Sequence, residues 1–376
     1  MDAVSFTQEL IRFPSITPKD EGVMGVLCGH LESIGFTCHR MTFADAPGEP
    51  TENLYARLGA ESPNVCFAGH VDVVPPGDPS AWSVDPFSAT IRGDYLIGRG
   101  AEDMKGAIAA FVTAVSGFSS KPFKGSISLL ITGDEEGPAV NGTRKILPWL
   151  KARGEVIDAC IVGEPTNPTT LGEMAKIGRR GSAYGILTVH GRQGHSAYPA
   201  LADNPVTTVV AMMHALKNTT IDLGSKFFPP SNLEVTSIDV GNPTGNVIPA
   251  QATARFNIRF NDQHDKTTLE KWVRTQLDSV PGTYDLQWRV SGEAFLTPPG
   301  RLSETLQKAA AEITGITPEL STTGGTSDAR FIKDICPVVE FGTTGATAHA
   351  IDEKVRVEDL RKLEAIYRRF LELYFS

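Results

Sequence analysis

Four stretches of the chain share one form, a short apolar, β-branched run that ends at once in acids or a histidine. Val65–Ala68 leads through Gly69 to His70-Val71-Asp72, and Ile127–Thr132 leads through Gly133 to Asp134-Glu135-Glu136. Ala159–Val162 leads through Gly163 to Glu164, and Val338–Phe341 leads through Gly342 to a loop that ends at His349. Runs this apolar suit strands covered on both faces, as in a mostly parallel sheet flanked by helices. Ligands of such sheets sit beyond the carboxyl ends of the strands. The pattern therefore predicts that His70, Asp72, the 134–136 acids and Glu164 line one edge, with His349 as a further candidate. Asp103 lies just ahead of Ala107–Phe118, which reads as a buried helix, and residues 1–13 read as an amphipathic one.

The block from 181 to 292 is patterned differently. Tyr184–His190 and Ala252–Phe260 largely alternate between apolar and polar residues, the mark of half-exposed strands. Asn232–Val240 and Tyr284–Val290 read as further strands, and Pro205–Lys217 and Lys266–Asp278 as helices. The resulting β-α-β-β-α-β order predicts a small antiparallel sheet with two helices on one face. Because this block separates Glu164 from His349, a site shared by those two makes it an insertion at 181–292. The first domain is then discontinuous, formed by 1–180 and 293–376.

His70, Asp103, Glu136, Glu164 and His349 form a mixed imidazole–carboxylate set without cysteine, which suits zinc, cobalt or manganese. Five protein ligands exceed the need of one catalytic zinc, but divide between two ions if one carboxylate bridges. Residues i and i+2 of an extended segment share a side, so Asp72 is placed to accept the second ring N–H of His70. Adjacent acids cannot all point one way. Of Asp134, Glu135 and Glu136, one is expected to bind metal while its neighbour serves as general base, its proton affinity raised by crowding. His195 stands in a loop of the inserted block. Arg179-Arg180, Arg259 and the Gly324–Asp328 turn are candidates for holding anions.

Composition narrows the classes. A hydrophobic share of 41% and a charged share of 21% are ordinary globular values and exclude wholesale disorder. The net charge of -9 argues against nucleic-acid or anionic-membrane binding, but not against a small anionic substrate met by converging arginines. No apolar run approaches the roughly 18 residues of a membrane span. The N-terminus lacks the basic region of a signal peptide, so the sequons at Asn141 and Asn218 carry little weight. The five cysteines are odd in number, scattered and without a CxxC pair. Neither a disulfide framework nor a thiolate zinc site is expected, and a reducing cytoplasm is the natural setting. Phosphate-loop, dinucleotide, nucleophile-elbow and HExxH motifs are all missing from the sequence.

GHVDVVPPGD, GRGAEDMKG, TGDEEG and VGEPT, in that order, resemble the metal and base motifs of the dinuclear-zinc aminoacylase and carboxypeptidase family. IGRRGS, GRQGHSAYPALADNP, GNPTGNVIPAQATARFNIRF and GGTSDARF are similar to its desuccinylase branch, and the resemblance covers essentially the whole chain. It implies a zinc-peptidase-like α/β catalytic domain carrying an inserted ferredoxin-like α+β domain that acts as lid and dimerisation surface. It also implies two Zn2+ per subunit, with Co2+ as a substitute. His70 and Glu164 would hold one ion and Glu136 and His349 the other, with Asp103 bridging. Asp72 would orient His70, Glu135 would be the general acid/base, and a cis peptide would follow Asp103. His195 would reach the active site of the second subunit of a homodimer. Arg179, Asn246, Arg259 and Thr326 would bind substrate carboxylates. The implied reaction is hydrolysis of a small anionic N-succinyl amino acid, N-succinyl-LL-2,6-diaminopimelate, in the cytoplasm. The alternatives are an acetylornithine deacetylase or other N-acyl amino-acid deacylase, a dipeptidase, and a non-catalytic binding relative. Retention of Glu135 beside a full ligand set argues against the last. One position departs from the pattern: Gly345 stands where related desuccinylases commonly have asparagine or a glutamine, so a substrate amide contact is either missing or supplied elsewhere.

Overall fold

The computed structural model describes residues 2–376 and divides into two compact units. The first comprises Met1–Ile177, Thr297–Ser321 and Ser327–Ser376, the second Gly178–Leu296 with Thr322–Thr326. The second unit differs at its limits from the 181–292 block read from the sequence. Its first strand, Gly178–Arg179, pairs antiparallel with Phe295–Leu296, a register that alternation over two residues cannot announce.

In chain order the first unit starts with helices α1 (Ala3–Ile11) and α2 (Val23–Ser33) and strands β1 (Thr37–Phe43), β2 (Thr51–Leu58) and β3 (Asn64–His70). Helix α3 (Lys105–Phe118), strand β4 (Ser126–Thr132), helix α4 (Thr143–Ala152) and strands β5 (Ala159–Val162) and β6 (Met174–Lys176) follow. The second unit contributes β7 (Gly181–His190), α5 (Pro205–Asn218), β8 (Asn232–Asp239), β9 (Gln251–Phe260), α6 (Lys266–Asp278) and β10 (Thr283–Gly292). On return to the first unit come α7 (Arg301–Thr314), β11 (Glu319–Ser321), α8 (Ala329–Ile332), β12 (Val338–Glu340) and α9 (Val357–Tyr374).

The sheet of the first unit runs β1-β2-β4-β3-β5-β12-β6-β11. Strand β3 is parallel to both β4 and β5, and β5 is parallel to β12. Every residue of these four strands is buried, as continuous apolar runs require. The parallel run brings the segments after His70, Thr132, Val162 and Glu340 to one edge. Phe67 of β3 stacks on Phe111 of α3 at 4.4 Å, and Phe111 meets Tyr367 of α9 edge-on at 5.5 Å. The buried Tyr367 hydroxyl donates to the Phe341 carbonyl at 2.6 Å, so this aromatic stack also fixes the exit of β12.

The glycines that close the apolar runs serve close packing. A Cβ at Gly69 would lie 2.3 Å from Met104 Cε, and one at Gly163 would lie 2.7 Å from the same atom. Only glycine leaves room for the Met104 side chain between the ends of β3 and β5. The peptide bond before Met104, from Asp103, is cis.

The sheet of the second unit runs β8-β9-β7-β10 with every pairing antiparallel. One face packs on α5 and α6 through a core that includes Leu187, Met212, Phe256, Phe260, Leu269 and Val273. Strand β9 reads exposed-buried along its length, so its odd-numbered residues, Arg255, Asn257 and Arg259, lie on the face away from the helices. This is the β-α-β-β-α-β order predicted from the sequence.

Candidate active site

The carboxyl edge of the first sheet gathers seven of the expected residues. His70, the last residue of β3, is buried, and its Nδ1–H donates to the Asp72 carbonyl at 2.8 Å. Its Nε2 faces Asp103 Oδ1 at 3.1 Å and Glu164 Oε1 at 3.8 Å. On the other side, His349 Nε2 lies 3.3 Å from Asp103 Oδ2 and 2.8 Å from Glu136 Oε1. The two oxygens of Asp103 thus face two different imidazoles, each accompanied by its own glutamate. Glu135 sends a carboxylate oxygen to within 4.8 Å of donor atoms of His70 and Glu164.

Asp72 acts differently from the sequence expectation. Its backbone carbonyl, not its carboxylate, receives the second ring N–H of His70, and the nearest carboxylate oxygen stands 3.7 Å off. The reason is competition. The carboxylate accepts the backbone N–H groups of Glu135 at 3.2 Å and Glu136 at 3.1 Å. One residue therefore sets the ring of His70 and also pins the turn that carries both glutamates. Burial pushes Asp72 up to about 6. Asp134 is a turn-former: its carboxylate accepts the amides of Ala139, Val140 and Asn141 at 2.8–3.1 Å. Asn141 is itself fully buried, which removes the sequon there from consideration.

Burial and neighbouring charges set the proton affinities of the cluster. Burial raises Glu135 well above the usual carboxyl range, and the Glu164 charge adds to it. For His70, burial opposes the cation, but the hydrogen bond to Asp103 and the charge of Glu164 outweigh it and raise its proton affinity. Hydrogen bonds to Asp103 and Glu136 push His349 up to about 10. Asp103 is held below the carboxylate range: burial opposes this, but the bonds to His349 and His70 prevail. A concentration of carboxylates around two imidazoles, all nitrogen and oxygen donors, is the donor chemistry of divalent zinc-type ions. His349 has a φ of +63°, a left-handed conformation uncommon outside glycine, and such outliers concentrate at functional sites.

Sequence reading missed the residues that hold the two loops together. The buried Glu353 carboxylate accepts the amides of Gly100 (3.0 Å), Glu102 (2.9 Å) and Asp103 (3.0 Å) and pairs with Arg99 at 2.7 Å. Arg99 Nη2 donates in turn to the His349 carbonyl at 3.3 Å. Glu102 reaches the other way, accepting from Thr344 Oγ1 (2.6 Å) and from Thr347 N and Oγ1 (2.6 and 2.7 Å). The Asp103 loop and the His349 loop, some 250 positions apart, are clasped from both sides. No local signal announces this beyond the acid that precedes Asp103 and the one four residues after His349. Glu353→Ala would strip a buried guanidinium of its counter-ion and leave three amides without their acceptor, and breaking such a pair costs about 3–5 kcal/mol. We expect a lowered melting temperature and weakened metal retention, with Glu353→Gln milder. Unchanged thermal unfolding and metal content in the alanine variant would remove Glu353 from this role.

The remaining expected residues lie in the second unit, in three groups. Arg179 is buried, and its Nη1 donates to the Thr323 carbonyl at 3.5 Å in the loop that carries the half-buried Thr326. Gly324 (φ +105°) passes so close that a Cβ would lie 2.4 Å from the Arg179 guanidinium. His195 and Asn246 adjoin on a two-residue ladder: His195 pairs with Val247, and the Ser196 N–H donates to the Asn246 carbonyl at 3.0 Å. The Ala197 amide donates to His195 Nδ1 at 3.0 Å, which leaves the exposed ring its Nε2–H as a donor. Arg259 stands opposite Ser182 and Asn232, and its charge, after burial, lowers the proton affinity of neighbouring Arg180.

A mostly parallel sheet with a histidine–carboxylate cluster at its carboxyl edge is the architecture of a metallohydrolase. The chain belongs to peptidase family M20/M25/M40, whose profile matches residues 66–373. It is 58% identical over 377 residues to the succinyl-diaminopimelate desuccinylase of Rhodospirillum centenum, spanning 100% of this chain and 98% of that one. Among solved structures it is similar to the M20 family metallo-carboxypeptidase Sso-CP2 of Sulfolobus solfataricus (TM-score 0.78, 20% identity, covering 100% and 99% of the two chains). It is also similar to the Bacillus subtilis YXEP protein, described as a dinuclear metal binding peptidase (TM-score 0.70, 15% identity, covering 100% and 98%).

Proposed function

We propose that this chain is a metal-dependent amide hydrolase that converts N-succinyl-LL-2,6-diaminopimelate and water to succinate and LL-2,6-diaminopimelate. The observation that carries the catalytic part is Asp103, whose two carboxylate oxygens face two separate histidine–glutamate sets while Glu135 stands beside them. His70 and Glu164 would hold one divalent ion, Glu136 and His349 the other, with Asp103 shared. Zinc suits these donors best, and cobalt shares their preferences. When bound, such ions polarise the amide carbonyl and bring the pKa of water to about 7.

The chain's own residues then manage protons and charge. Glu135 takes a proton from the attacking water and delivers it to the leaving amine as the C–N bond breaks. Its burial beside Glu164 gives it the proton affinity to do both. Asp72 holds the ring of His70 and the 135–136 turn in one arrangement. His195 offers its Nε2–H to the oxyanion that forms on the carbonyl. Arg179, Arg259, Asn246 and Thr326 bind the carboxylates. The relatives support the substrate, since the 58% identical chain of Rhodospirillum centenum is a succinyl-diaminopimelate desuccinylase. Stripping metal with a chelator should abolish succinate release, and zinc or cobalt should restore it at two ions per chain. Full turnover in protein verified to be free of metal would overturn the metal-dependent reading.

The second unit is proposed to be the lid and the dimer contact, with His195 serving the site of the partner subunit. Mixing Glu135→Gln with His195→Ala subunits tests this. In a heterodimer, one site then lacks both groups and the other is intact, so activity should return. No recovery after verified subunit exchange would place His195 in its own subunit's site or deny it a role. The cytoplasm is the proposed compartment: all five cysteines are free thiols. Among the described residues no helix is long and apolar enough to cross a membrane.

A further inference from the structure

The first unit also assembles a donor set unrelated to the site above. Cys28 lies on α2 and Cys38 on β1, the edge strand, with β2 and β4 between it and β3. Nothing in the spacing of these two cysteines suggests a pair, yet packing of α2 on β1 joins them. Glu32 follows Cys28 by one helical turn and so shares its face. The two sulfurs and a Glu32 oxygen all lie within 4.8 Å of one another. Cys28 Sγ is 3.5 Å from Glu32 Oε1, and the Cys38 thiol donates to the Cys28 carbonyl at 3.7 Å.

These separations suit a tetrahedral ion. With bonds of about 2.3 Å to sulfur and about 2.0–2.2 Å to oxygen, tetrahedral edges are about 3.5 Å for S···O and about 3.8 Å for S···S. The observed S···O distance is already an edge length, and the sulfurs need to close by no more than about 1 Å. Both cysteines are half-buried and Glu32 is exposed, so a cation and a completing water have access. We propose that Cys28, Glu32 and Cys38 form a peripheral site for one thiophilic divalent cation, bridging α2 to β1. Two thiols and one carboxylate select zinc or cadmium over magnesium and calcium. Binding exchanges the two S–H protons for two metal–sulfur bonds, with both protons released to solvent. Burial raises both thiols above their ordinary range, so a cation with high thiolate affinity is needed to displace those protons.

Cadmium titration of the full-length protein distinguishes this site from the catalytic one. The expected catalytic ligands include no sulfur, so thiolate-to-cadmium charge-transfer absorption reports the peripheral site alone. Wild type should show that band and take up one more cadmium per chain than the Cys28→Ser/Cys38→Ser double variant, which should lack it. The unmodified protein supplies a second measurement. Cys66, Cys160 and Cys336 are buried, leaving Cys28 and Cys38 as the accessible thiols for maleimide. Zinc at a hundred times its dissociation constant leaves about one site in a hundred free, so labelling should slow by about 100-fold. Equal cadmium uptake by wild type and double variant, or labelling rates indifferent to zinc, would overturn the proposal. Neither readout depends on the substrate assigned above.

Discussion

Glu135→Gln is expected to keep its metal and to lower kcat by about 10²–10⁴-fold, the usual worth of a positioned acid–base group. The substitution is nearly isosteric. The hydrogen bond that anchors residue 135 to Asp72 comes from its backbone N–H, so the turn survives the change. What is lost is the capacity to accept a proton, which a neutral amide lacks. The geometry also makes the test discriminating, because Glu135 lies close enough to His70 and Glu164 to be mistaken for a ligand. If it were one, the glutamine variant would lose metal along with activity. If it is the base, metal content stays at two ions per chain while turnover falls. Metal analysis alongside steady-state kinetics separates the cases, and near wild-type turnover with normal metal content would show that the base lies elsewhere.

The strands that position the candidate site were legible because their burial on both faces demands unbroken apolar runs, and each run leads into the acids and histidines of the cluster. Helices α5 and α6 and the alternating strand β9 were legible for the complementary reason, since one face is buried and the other is not. What periodicity could not supply is any contact fixed by tertiary register. Glu353 and Arg99 read as ordinary charges, and only the folded chain shows them clasping the Asp103 and His349 loops. Asp72 lies beside His70, as the i, i+2 spacing suggests, but the division of labour between its carbonyl and its carboxylate depends on the 135–136 turn folding back onto it. Scattered cysteines gave no reason to expect a thiol pair, and Cys28 and Cys38 meet only because α2 packs on β1.

Substrate choice is where the largest ratio is expected. N-succinyl-LL-2,6-diaminopimelate brings three carboxylates and one ammonium to a protein whose own net charge is -9. The offset must therefore be local. Arg179 is buried, braced by the Thr323 carbonyl, and passed by a glycine that leaves no room for a side chain. Burial, and after it the charge of Arg259, lowers the proton affinity of Arg180, so an anion beside the two arginines would be favoured. If Arg179 or Arg259 meets the succinyl carboxylate, as proposed, an acetyl group, which lacks that carboxylate, forfeits the charged contact. Sites built for a charged or hydrogen-bonding group reject analogues lacking it by as much as about 10⁴–10⁵. The most direct measurement is kcat/KM for N-succinyl-LL-2,6-diaminopimelate and for N-acetylornithine on one metal-loaded preparation. A preference for the succinyl substrate of up to about 10⁴–10⁵ is expected, whereas comparable values would contradict the assignment and make the chain a general N-acyl amino-acid deacylase.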